Sequence, residues 1–409
     1  MNKYILLLII SVVVACSTSK KVSAPLNYDP PGSTNTKTKP IEKQVKSIRS
    51  INGVTVDNTF PGARLNDFIQ INDSLYQVII SPENKPINLS PWYSFKIKSE
   101  SKKQIYLHLK YTFGKHRYYP DYSTNGKEWY PLDSTRYHIY ENDSTVFQLN
   151  LDQNELWISA QELMTSEDND DWIKSIENNP EISVQSYGES REGRSLKALS
   201  IGLKKKQPTL VVMGRQHPPE VPGYMAMQAF VGELFATNDL SNKFRSKFTI
   251  LLLPMINPDG VDNGHWRHNA GGVDLNRDWQ FFNQPEVDLL QHYIKTVVKK
   301  NKLNIVLGLD FHSTQYDLLY TFNNETFPEN KGVVKAWIRQ LRTSLPNDKI
   351  AEEDGGAEAP VSKNWFLNEF KAEGVTYEVG DDTPREYLKL KGKRSAQILM
   401  ELLLEKYTD

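Results

Sequence analysis

Residues 209–223, TLVVMGRQHPPEVPG, join a short apolar run to a proline-rich polar segment and then to a helical pattern. The run at 209–213 predicts a buried strand, and the helix predicted at 221–236 follows it closely. His217 and Glu220 lie three residues apart between these two elements. The pair is either a metal clamp at the end of a strand or two polar residues of a stiff turn, and this segment alone leaves both interpretations open.

Apolar runs and amphipathic stretches continue to alternate along the C-terminal half of the chain. Further strands are predicted at 248–255, 304–311 and 374–379, and further helices at 285–300, 331–345 and 395–406. Strands that alternate with helices form a sheet covered on both faces. Residues 166–409 are therefore predicted to be an α/β catalytic domain, with a mixed β-sheet flanked by helices.

The preceding region, residues 51–165, has the pattern of an all-β sandwich domain. Short runs rich in aromatic and β-branched residues recur here between polar, glycine or proline stretches. The predicted strands are 74–80, 92–99, 103–112, 145–151 and 155–160. Strands of this length and spacing are typical of two packed antiparallel sheets.

Cys16 is the one cysteine of the 409-residue chain, and it ends the apolar segment KYILLLIISVVVAC. The apolar run has the length of a secretory signal and is short for a membrane span. VVAC is similar to a bacterial lipobox, so residues 1–15 are predicted to be a lipoprotein signal peptide. Cys16 would then hold the exported protein by lipid at a membrane of the bacterial cell envelope. An ordinary signal peptide with an incidental cysteine is the alternative.

Residues 16–50 are rich in Ser, Thr, Lys and Pro and have few large apolar side chains. Such a segment cannot bury enough surface to fold alone. It is therefore predicted to be a flexible tether between the lipid anchor and the folded domains.

The charge balance excludes one class of partner. The chain has 49 basic and 50 acidic residues, and its net charge is −1. Binding to nucleic acid requires a basic face. No nucleic-acid partner is therefore predicted.

Polar clusters stand at the ends of the predicted strands. Besides the His217 cluster, they are NPDG at 257–260 running on to GVDLNRDW at 272–279, DFHST at 310–314, and Glu378 in TYEVGD. Ligand sites in α/β sheets lie at the carboxyl ends of the strands. These clusters are therefore expected to converge on one site.

Convergence would place His217, Glu220 and His312 around one position. Two histidines and a glutamate with an open fourth position are a ligand set of catalytic zinc, which makes a nucleophile of bound water. Glu378 would then serve as a general base, and Arg267 or Arg277 would supply positive charge. Each motif alone has an ordinary alternative, such as a capped turn or an edge-strand carboxylate, so their joint occurrence carries the prediction.

In this order the motifs resemble those of the zinc metallocarboxypeptidases, the carboxypeptidase A-like family, over roughly residues 180–405. HPPE is similar to the His-Pro-Gly-Glu of the cytosolic carboxypeptidase branch. INPDGVDNGHWRHNAGGVDLNRDW, residues 256–279, is similar to that branch's long segment from Asn-Pro-Asp-Gly to Asp-Leu-Asn-Arg. That branch also carries a β-sandwich before its catalytic domain, as is predicted here.

The resemblance implies one Zn²⁺ per chain, bound by His217, Glu220 and His312. It implies that Glu378 is the general base that takes a proton from the zinc-bound water and passes it to the leaving amine. It also implies that Asp274 orients a zinc-bound imidazole from behind.

On the substrate side, the resemblance implies that Arg267 steadies the oxyanion of the scissile carbonyl. Asn276 and Arg277 match the pair that binds the terminal carboxylate, a task that suits the planar fork of arginine. SKNWF, residues 362–366, is similar to the wall of the pocket for the terminal side chain. It places Lys363 where an acidic terminal residue would be favoured; a solvent-facing lysine is the alternative.

Two departures from the family pattern concern closure over the substrate. Digestive members carry a mobile tyrosine 22 residues before the catalytic glutamate, a position that Gly356 occupies here. Digestive members also have an arginine where this chain has Pro219. The departures put exopeptidase closure in question but not the zinc chemistry.

The sequence therefore predicts a zinc metallocarboxypeptidase that hydrolyses the C-terminal peptide bond of peptides. An envelope enzyme that cleaves an amide within or beside a peptidoglycan stem peptide is an alternative with the same chemistry. A non-catalytic binding lipoprotein is a third interpretation. Its signature would be the loss of a ligand or of the base, and all four of those positions are filled here.

Overall fold

The computed structural model describes residues 36–140, 145–345 and 350–407. The predicted signal peptide and Cys16 lie outside these ranges. Within them the chain forms a strand-rich region followed by an α/β region, which confirms the predicted fold class. In the same ranges, no helix has the length and apolar character needed to cross a bilayer.

The strand-rich region consists of two sheets around one hydrophobic core. Its strands are β1 (Ile48–Ile51), β2 (Val54–Asp57), β3 (Asp67–Gln70), β4 (Leu75–Ile80), β5 (Ser94–Ser99), β6 (Lys103–Tyr111), β7 (Asp121–Ser123), β8 (Tyr130–Pro131), β9 (Tyr137–Ile139), β10 (Thr145–Leu151) and β11 (Leu156–Ser159). One sheet has the order β1-β2-β5-β11-β7-β8, and the other β3-β4-β6-β10-β9. Alternate side chains point inward, as Tyr76, Val78 and Ile80 do in β4.

Residues 36–47, the last part of the predicted tether that precedes β1, lie against the α/β region. Gln284 Nε2 donates to the carbonyl of Thr36 at 2.7 Å, and the Lys39 N–H donates to the carbonyl of Gly271 at 2.7 Å. The prediction of a flexible tether is therefore wrong for these residues. Hydrogen bonds to the backbone can fix a polar segment that has little apolar surface to bury.

The α/β region is built on one eight-stranded mixed sheet. Its strands are β12 (Ile182–Glu189), β13 (Ser195–Ile201), β14 (Pro208–Gly214), β15 (Thr249–Leu253), β16 (Asn304–Thr314), β17 (Leu318–Thr321), β18 (Ala351–Asp354) and β19 (Glu373–Gly380). The spatial order is β12-β13-β15-β14-β16-β19-β17-β18. The central strands β15, β14, β16 and β19 run parallel, whereas β13 and β17 pair with this group in the antiparallel sense.

Helices cover both faces of this sheet. They are α1 (Ser166–Glu177), α2 (Val221–Leu234), α3 (Asp239–Lys247), α4 (Pro258–Asp262), α5 (Pro285–Asn301), α6 (Val334–Ser344), α7 (Ser362–Phe370) and α8 (Arg385–Tyr407). One core packs α2, α6 and α8 on the sheet, and a second core packs α5 and α7 on the opposite face. The last helix begins well before the predicted residue 395, because its mostly polar first turns, REYLKLKGKR, conceal the helical pattern.

The loop after α4 belongs to the α/β region and packs against the strand-rich region. Trp266 in this loop is fully buried in the core of the strand-rich region, where its ring meets the edge of Tyr111 at a centroid distance of 6.5 Å. The next residue, Arg267, lines a cavity at the edge of the eight-stranded sheet. The strand-rich region therefore packs directly on the loop that borders the candidate site.

Candidate active site

Three adjacent parallel strands carry the candidate site at their carboxyl ends. His217 follows β14, and His312 lies near the end of β16. Glu378 of β19 lies opposite His312 in the parallel register of the two strands. The convergence predicted from the polar clusters therefore follows from the strand order.

His217, Glu220 and His312 form a compact buried cluster whose ligand-type atoms all lie within 4.8 Å of one another. His217 Nδ1 is 2.8 Å from Glu220 Oε1, and His312 Nδ1 is 2.7 Å from Glu220 Oε2. The two Nδ1 atoms are 3.1 Å apart. Two imidazole nitrogens and a carboxylate that face one point fit the three-ligand set of catalytic zinc, which leaves a fourth position open.

Each ligand histidine turns its other nitrogen toward a carboxylate. His217 Nε2 is 2.8 Å from Asp274 Oδ1, and His312 Nε2 is 2.9 Å from Asp310 Oδ2. Such partners hold the ring in place and keep Nδ1 available to a cation. The structure therefore places Asp274 where the resemblance implied. It also puts Asp310, whose role the sequence left open, in the same position behind His312.

The charges around this cluster favour a cation. Burial alone would raise the pKa of Glu220, but His217 and His312 hold that pKa well below its usual range. Burial would lower the pKa of His312, but Asp310 and Glu220 hold it well above its usual value. Metal binding can replace such protons, because a bound metal requires neutral histidine and ionised carboxylate.

The link between the first two ligands is short and stiff. Pro218 and Pro219 fix two successive φ angles near −65° and remove two backbone donors. Helix α2 begins at Val221, directly after Glu220. The segment is therefore a stiff turn, and the same turn directs His217 and Glu220 toward one point, as a metal clamp would.

Glu378 lies on the same cavity wall and is partly exposed to the cavity. Its Oε2 atom has no hydrogen-bond partner within the described part of the chain. Desolvation raises the pKa of Glu378 to about 7, with His312 opposing and Glu220 reinforcing this shift. A carboxyl group of this kind can accept and release a proton near neutral pH.

Arg267 is held beside the metal-ligand cluster by two carboxylates. Its Nε donates to Asp274 Oδ2 at 2.6 Å, and its Nη1 lies 3.9 Å from Glu220 Oε1. Asp274 therefore contacts both a ligand histidine and this arginine. The guanidinium is fixed at the cavity wall with its charge directed at the site.

Asn276 and Arg277 lie in a short 3-10 turn that borders the same cavity. Asn276 Nδ2 is 3.4 Å from His312 Nε2, and Asn276 Oδ1 accepts the N–H of Ser362 at 3.0 Å. Arg277 Nη1 donates to the carbonyl of Asn276 at 2.9 Å. The pair therefore stands next to the third ligand, within reach of a substrate in the cavity.

Lys363, in the first turn of α7, is buried at 1% exposure. Its Nζ donates to the carbonyls of Thr321 at 3.1 Å and Gly356 at 2.8 Å, and it lies 3.6 Å from the ring centre of Phe322. Burial lowers the pKa of Lys363 to about 7, with Asp354 opposing the shift. The alternative of a solvent-facing lysine is therefore wrong.

One cavity of about 950 Å³ unites these groups. It is lined by eight of the nine predicted site residues, and the ninth, Asp274, lies behind His217. The cavity wall also includes Tyr320 of β17 and Gly356, the residue at the position of the family's mobile tyrosine. The predicted residues therefore share one space that is large enough for a peptide end.

The strand-rich region also lines this cavity. Arg117 reaches it and forms an ion pair of 2.8 Å with Asp381, just beyond the end of β19. Arg117 also donates to Ser90 Oγ at 3.0 Å. This arginine was not predictable from the sequence, because no local motif marks a contact between residues 264 positions apart.

A family model described as zinc carboxypeptidase matches residues 169–389, more than half of the chain. The chain belongs to the zinc carboxypeptidase family. This membership confirms the resemblance drawn from the motifs, and it makes Zn²⁺ the metal that the family implies. The cluster of His217, Glu220 and His312 fits that ion by donor type, number and surrounding charge.

Two cytosolic carboxypeptidases are among the curated relatives. Cytosolic carboxypeptidase 2 of Xenopus tropicalis is 32% identical over 154 residues, which cover 36% of this chain and 16% of that protein. Cytosolic carboxypeptidase 6 of Caenorhabditis elegans is 26% identical over 150 residues, which cover 35% of this chain and 33% of that protein. The first curated relatives are matched over 9% to 56% of their own length.

Solved structures share the fold over most of the chain. A metallo-carboxypeptidase from Burkholderia cenocepacia superposes with a TM-score of 0.73 at 16% identity, covering 86% of this chain and 99% of that chain. A metallo-carboxypeptidase from Pseudomonas aeruginosa gives a TM-score of 0.69 at 18% identity, with the same coverage. The shared fold therefore extends beyond the segment that the zinc carboxypeptidase model matches.

Proposed function

We propose that the protein removes the C-terminal residue of peptides by hydrolysis at the cluster of His217, Glu220 and His312. The observation that carries this proposal is the convergence of three ligand atoms within 4.8 Å, on the wall of a cavity that also presents Glu378 and Arg277. Ligands, base and carboxylate anchor are the parts that such a reaction needs in one space.

His217, Glu220 and His312 would hold the zinc ion, with Asp274 and Asp310 fixing the two imidazoles. When bound, zinc would acidify a water molecule and polarise the scissile carbonyl. Glu378 would take the proton of the attacking water and pass it to the leaving amine. The uncommitted Oε2 atom of Glu378 supports this role, because a general base needs an oxygen that the protein does not occupy.

Arg267 and Arg277 would bind different groups of the substrate. Arg267 would donate to the carbonyl oxygen as negative charge develops there, since Asp274 already fixes its guanidinium beside the cluster. Arg277 and Asn276 would bind the terminal carboxylate, which sets the distance from the chain end to the scissile bond. Correct placement of the substrate is itself a large part of such catalysis.

Lys363 supports a preference for an acidic terminal residue. It is a buried lysine on the wall of the cavity that Asn276 and Arg277 also line. Two of its three ammonium hydrogens have carbonyl partners, in Thr321 and Gly356. The third can be offered to a carboxylate of the substrate.

A digest of a peptide library with the wild type and Glu378→Gln tests the reaction. The wild type should release single C-terminal residues, whereas Glu378→Gln should retain the fold and zinc and lose at least about 100-fold in kcat. Equal cleavage by the two proteins would refute the role of Glu378. Release of internal fragments would refute exopeptidase action.

The same digest with muropeptides separates the peptidoglycan alternative from the general carboxypeptidase. Activity confined to muropeptides would favour that alternative. Zinc analysis of protein from zinc-replete growth tests the binding-protein alternative, which predicts less than one ion per chain.

Lipid attachment at the cell envelope stays a prediction. Replacing the predicted lipid-bearing residue, Cys16→Ala, should abolish incorporation of labelled fatty acid.

A further inference from the structure

Glu83 follows β4 and is a fully buried carboxylate of the strand-rich region. It accepts three successive backbone N–H groups of the loop after α4, from residues more than 180 positions away. Trp266 N–H donates to its Oε2 at 2.8 Å, and Arg267 and His268 N–H donate to its Oε1 at 3.1 and 2.7 Å. One side chain therefore holds three consecutive peptide units of another region.

This carboxylate is charged as well as buried. Burial alone would raise the pKa of Glu83, but His265, His268 and Arg64 together with the backbone N–H groups hold that pKa at about 2. Hydrogen bonds to an ionised acceptor are roughly twice as strong as neutral ones. The contact is therefore among the strongest that fix this loop.

The held segment ends at the site. Trp266 points into the core of the strand-rich region, and the next side chain, Arg267, points to Asp274 beside the metal-ligand cluster. The neighbouring Asn84 donates to the carbonyl of Gly272 at 2.9 Å, further along the same loop. The strand-rich region therefore forms hydrogen bonds with the backbone of this loop on both sides of Arg267.

We propose that Glu83 is a positioning residue for the reaction: by binding the backbone N–H groups of Trp266, Arg267 and His268, it sets where the Arg267 guanidinium stands relative to the scissile carbonyl. The inference rests on the proposed function in one respect, the role of Arg267 at the developing oxyanion. It assigns to the strand-rich region a positioning role in the reaction, in addition to packing.

Glu83→Gln tests the proposal. The glutamine keeps the size of the side chain but replaces one acceptor oxygen with an NH₂ group, so at least one of the three hydrogen bonds is lost. We expect kcat to fall by about 10- to 100-fold while KM and zinc content stay near those of the wild type. Hydrogen exchange of the peptide that covers 266–268 should become faster, a change that reports loop position without reference to activity.

A double-mutant cycle with Arg267→Ala identifies the route of the effect. If Glu83 acts through Arg267, Glu83→Gln should cost nothing further in the Arg267→Ala background. Val78→Ala is the matched control, because it weakens the core that Trp266 shares but removes no hydrogen bond to the loop, and it should retain the wild-type kcat.

Wild-type kcat in Glu83→Gln, or an equal loss of kcat in the two backgrounds, would overturn the proposal. A wild-type kcat in Arg267→Ala would also overturn it, because positioning that residue would then serve no catalytic purpose. In that last case the proposed function would still stand if Glu378→Gln remained inactive, so the two failures are distinguishable.

Discussion

Gly223 lies so close to His312 that a Cβ atom at this glycine would stand 2.2 Å from the histidine's carbonyl oxygen. The Gly223 N–H also donates to Ser313 Oγ at 2.7 Å. Helix α2, which begins next to the ligand Glu220, therefore touches the strand that carries the third ligand. The distance between ligands from two separate elements depends on the absence of one side chain.

Gly223→Ala should therefore separate α2 from β16 and impair the metal site. Overpacking of this kind typically costs about 1–3 kcal/mol of unfolding free energy. We also expect zinc to be lost more readily on dialysis against a chelator, because Glu220 and His312 move apart. Denaturant unfolding and metal analysis measure the two effects.

Gly232→Ala in the same helix is the control. Apart from the adjoining backbone of α2, no heavy atom of the described residues lies within 4 Å of a Cβ added there, so alanine should leave zinc binding unchanged and stabilise the helix by up to about 1 kcal/mol. Wild-type zinc retention in Gly223→Ala would show that the close approach does not set the ligand geometry.

Asp274→Asn should weaken zinc binding, because Asp274 fixes the imidazole of His217. Loss of such a partner typically costs about 10- to 100-fold in metal affinity or activity. Competition with a chelator measures the affinity. Asp278→Asn, in the same loop but hydrogen-bonded to backbone N–H groups of Asn283 and Gln284, should bind zinc as the wild type does. An equal loss in both variants would contradict a specific role for Asp274.

The preference for an acidic terminal residue should decline as the pH rises through 7. The pKa of Lys363 is lowered to about 7, so its ammonium is charged below that pH and neutral above it. The measurement is the ratio of kcat/KM for substrates that end in Glu and in Gln, between pH 6 and 8.5. Since kcat/KM reports ionisations of the free enzyme, the midpoint pH of this decline should match the pKa of Lys363 without bound substrate.

Lys363→Met should remove the preference at every pH, and Lys363→Glu should invert it toward terminal Lys. Lys335→Met, which removes a lysine paired with Glu352 outside the cavity lining, is the control and should keep the preference. A Lys363→Glu variant that still favours terminal Glu over Lys would refute the role of Lys363.

Because the pKa of Glu373, at the start of β19, is raised, the free energy of unfolding should fall as the pH rises from 4.5 to 7. Burial raises its pKa from 4.5 to about 7, against the hydrogen bonds from the N–H groups of Val333 and Val334. In this interval the unfolded chain releases the proton while the folded chain retains it, so folding becomes less favourable. The cost amounts to roughly 3 kcal/mol above pH 7.

Glu373→Gln should therefore unfold with about the wild-type free energy at pH 4.5 and with a larger one at pH 8. Urea unfolding across this range measures the difference. Glu369→Gln, which changes an exposed carboxylate of α7, is the matched control and should follow the wild type. A constant offset between wild type and Glu373→Gln at all pH values would contradict a titrating Glu373.

The order of elements and the metal ligands were predictable because their signals are local. The apolar run before His217, the spacing to Glu220 and the similar runs before His312 and Glu378 are all visible within short windows. Strand order in an α/β sheet then brings separate strand ends together. The family resemblance supplied the roles of Arg267 and of the later residues.

Contacts between distant segments left no such signal. The ion pair of Arg117 with Asp381 and the grip of Glu83 on the Arg267 loop join residues far apart in the chain. A buried carboxylate that accepts backbone N–H groups has no partner side chain to look for in a sequence. The burial of Lys363 is equally a product of packing, since lysine is mostly exposed.

The insertion of Trp266 into the core of the strand-rich region limits how far the two regions can be separated or exchanged. A chain shortened to the segment matched by the family model would present this indole to water and would leave the Arg267 loop without Glu83. The two regions are therefore not interchangeable modules. We expect a chimera that takes one region from a relative to keep Arg267 in position only if the contacts of Trp266 and Glu83 are retained.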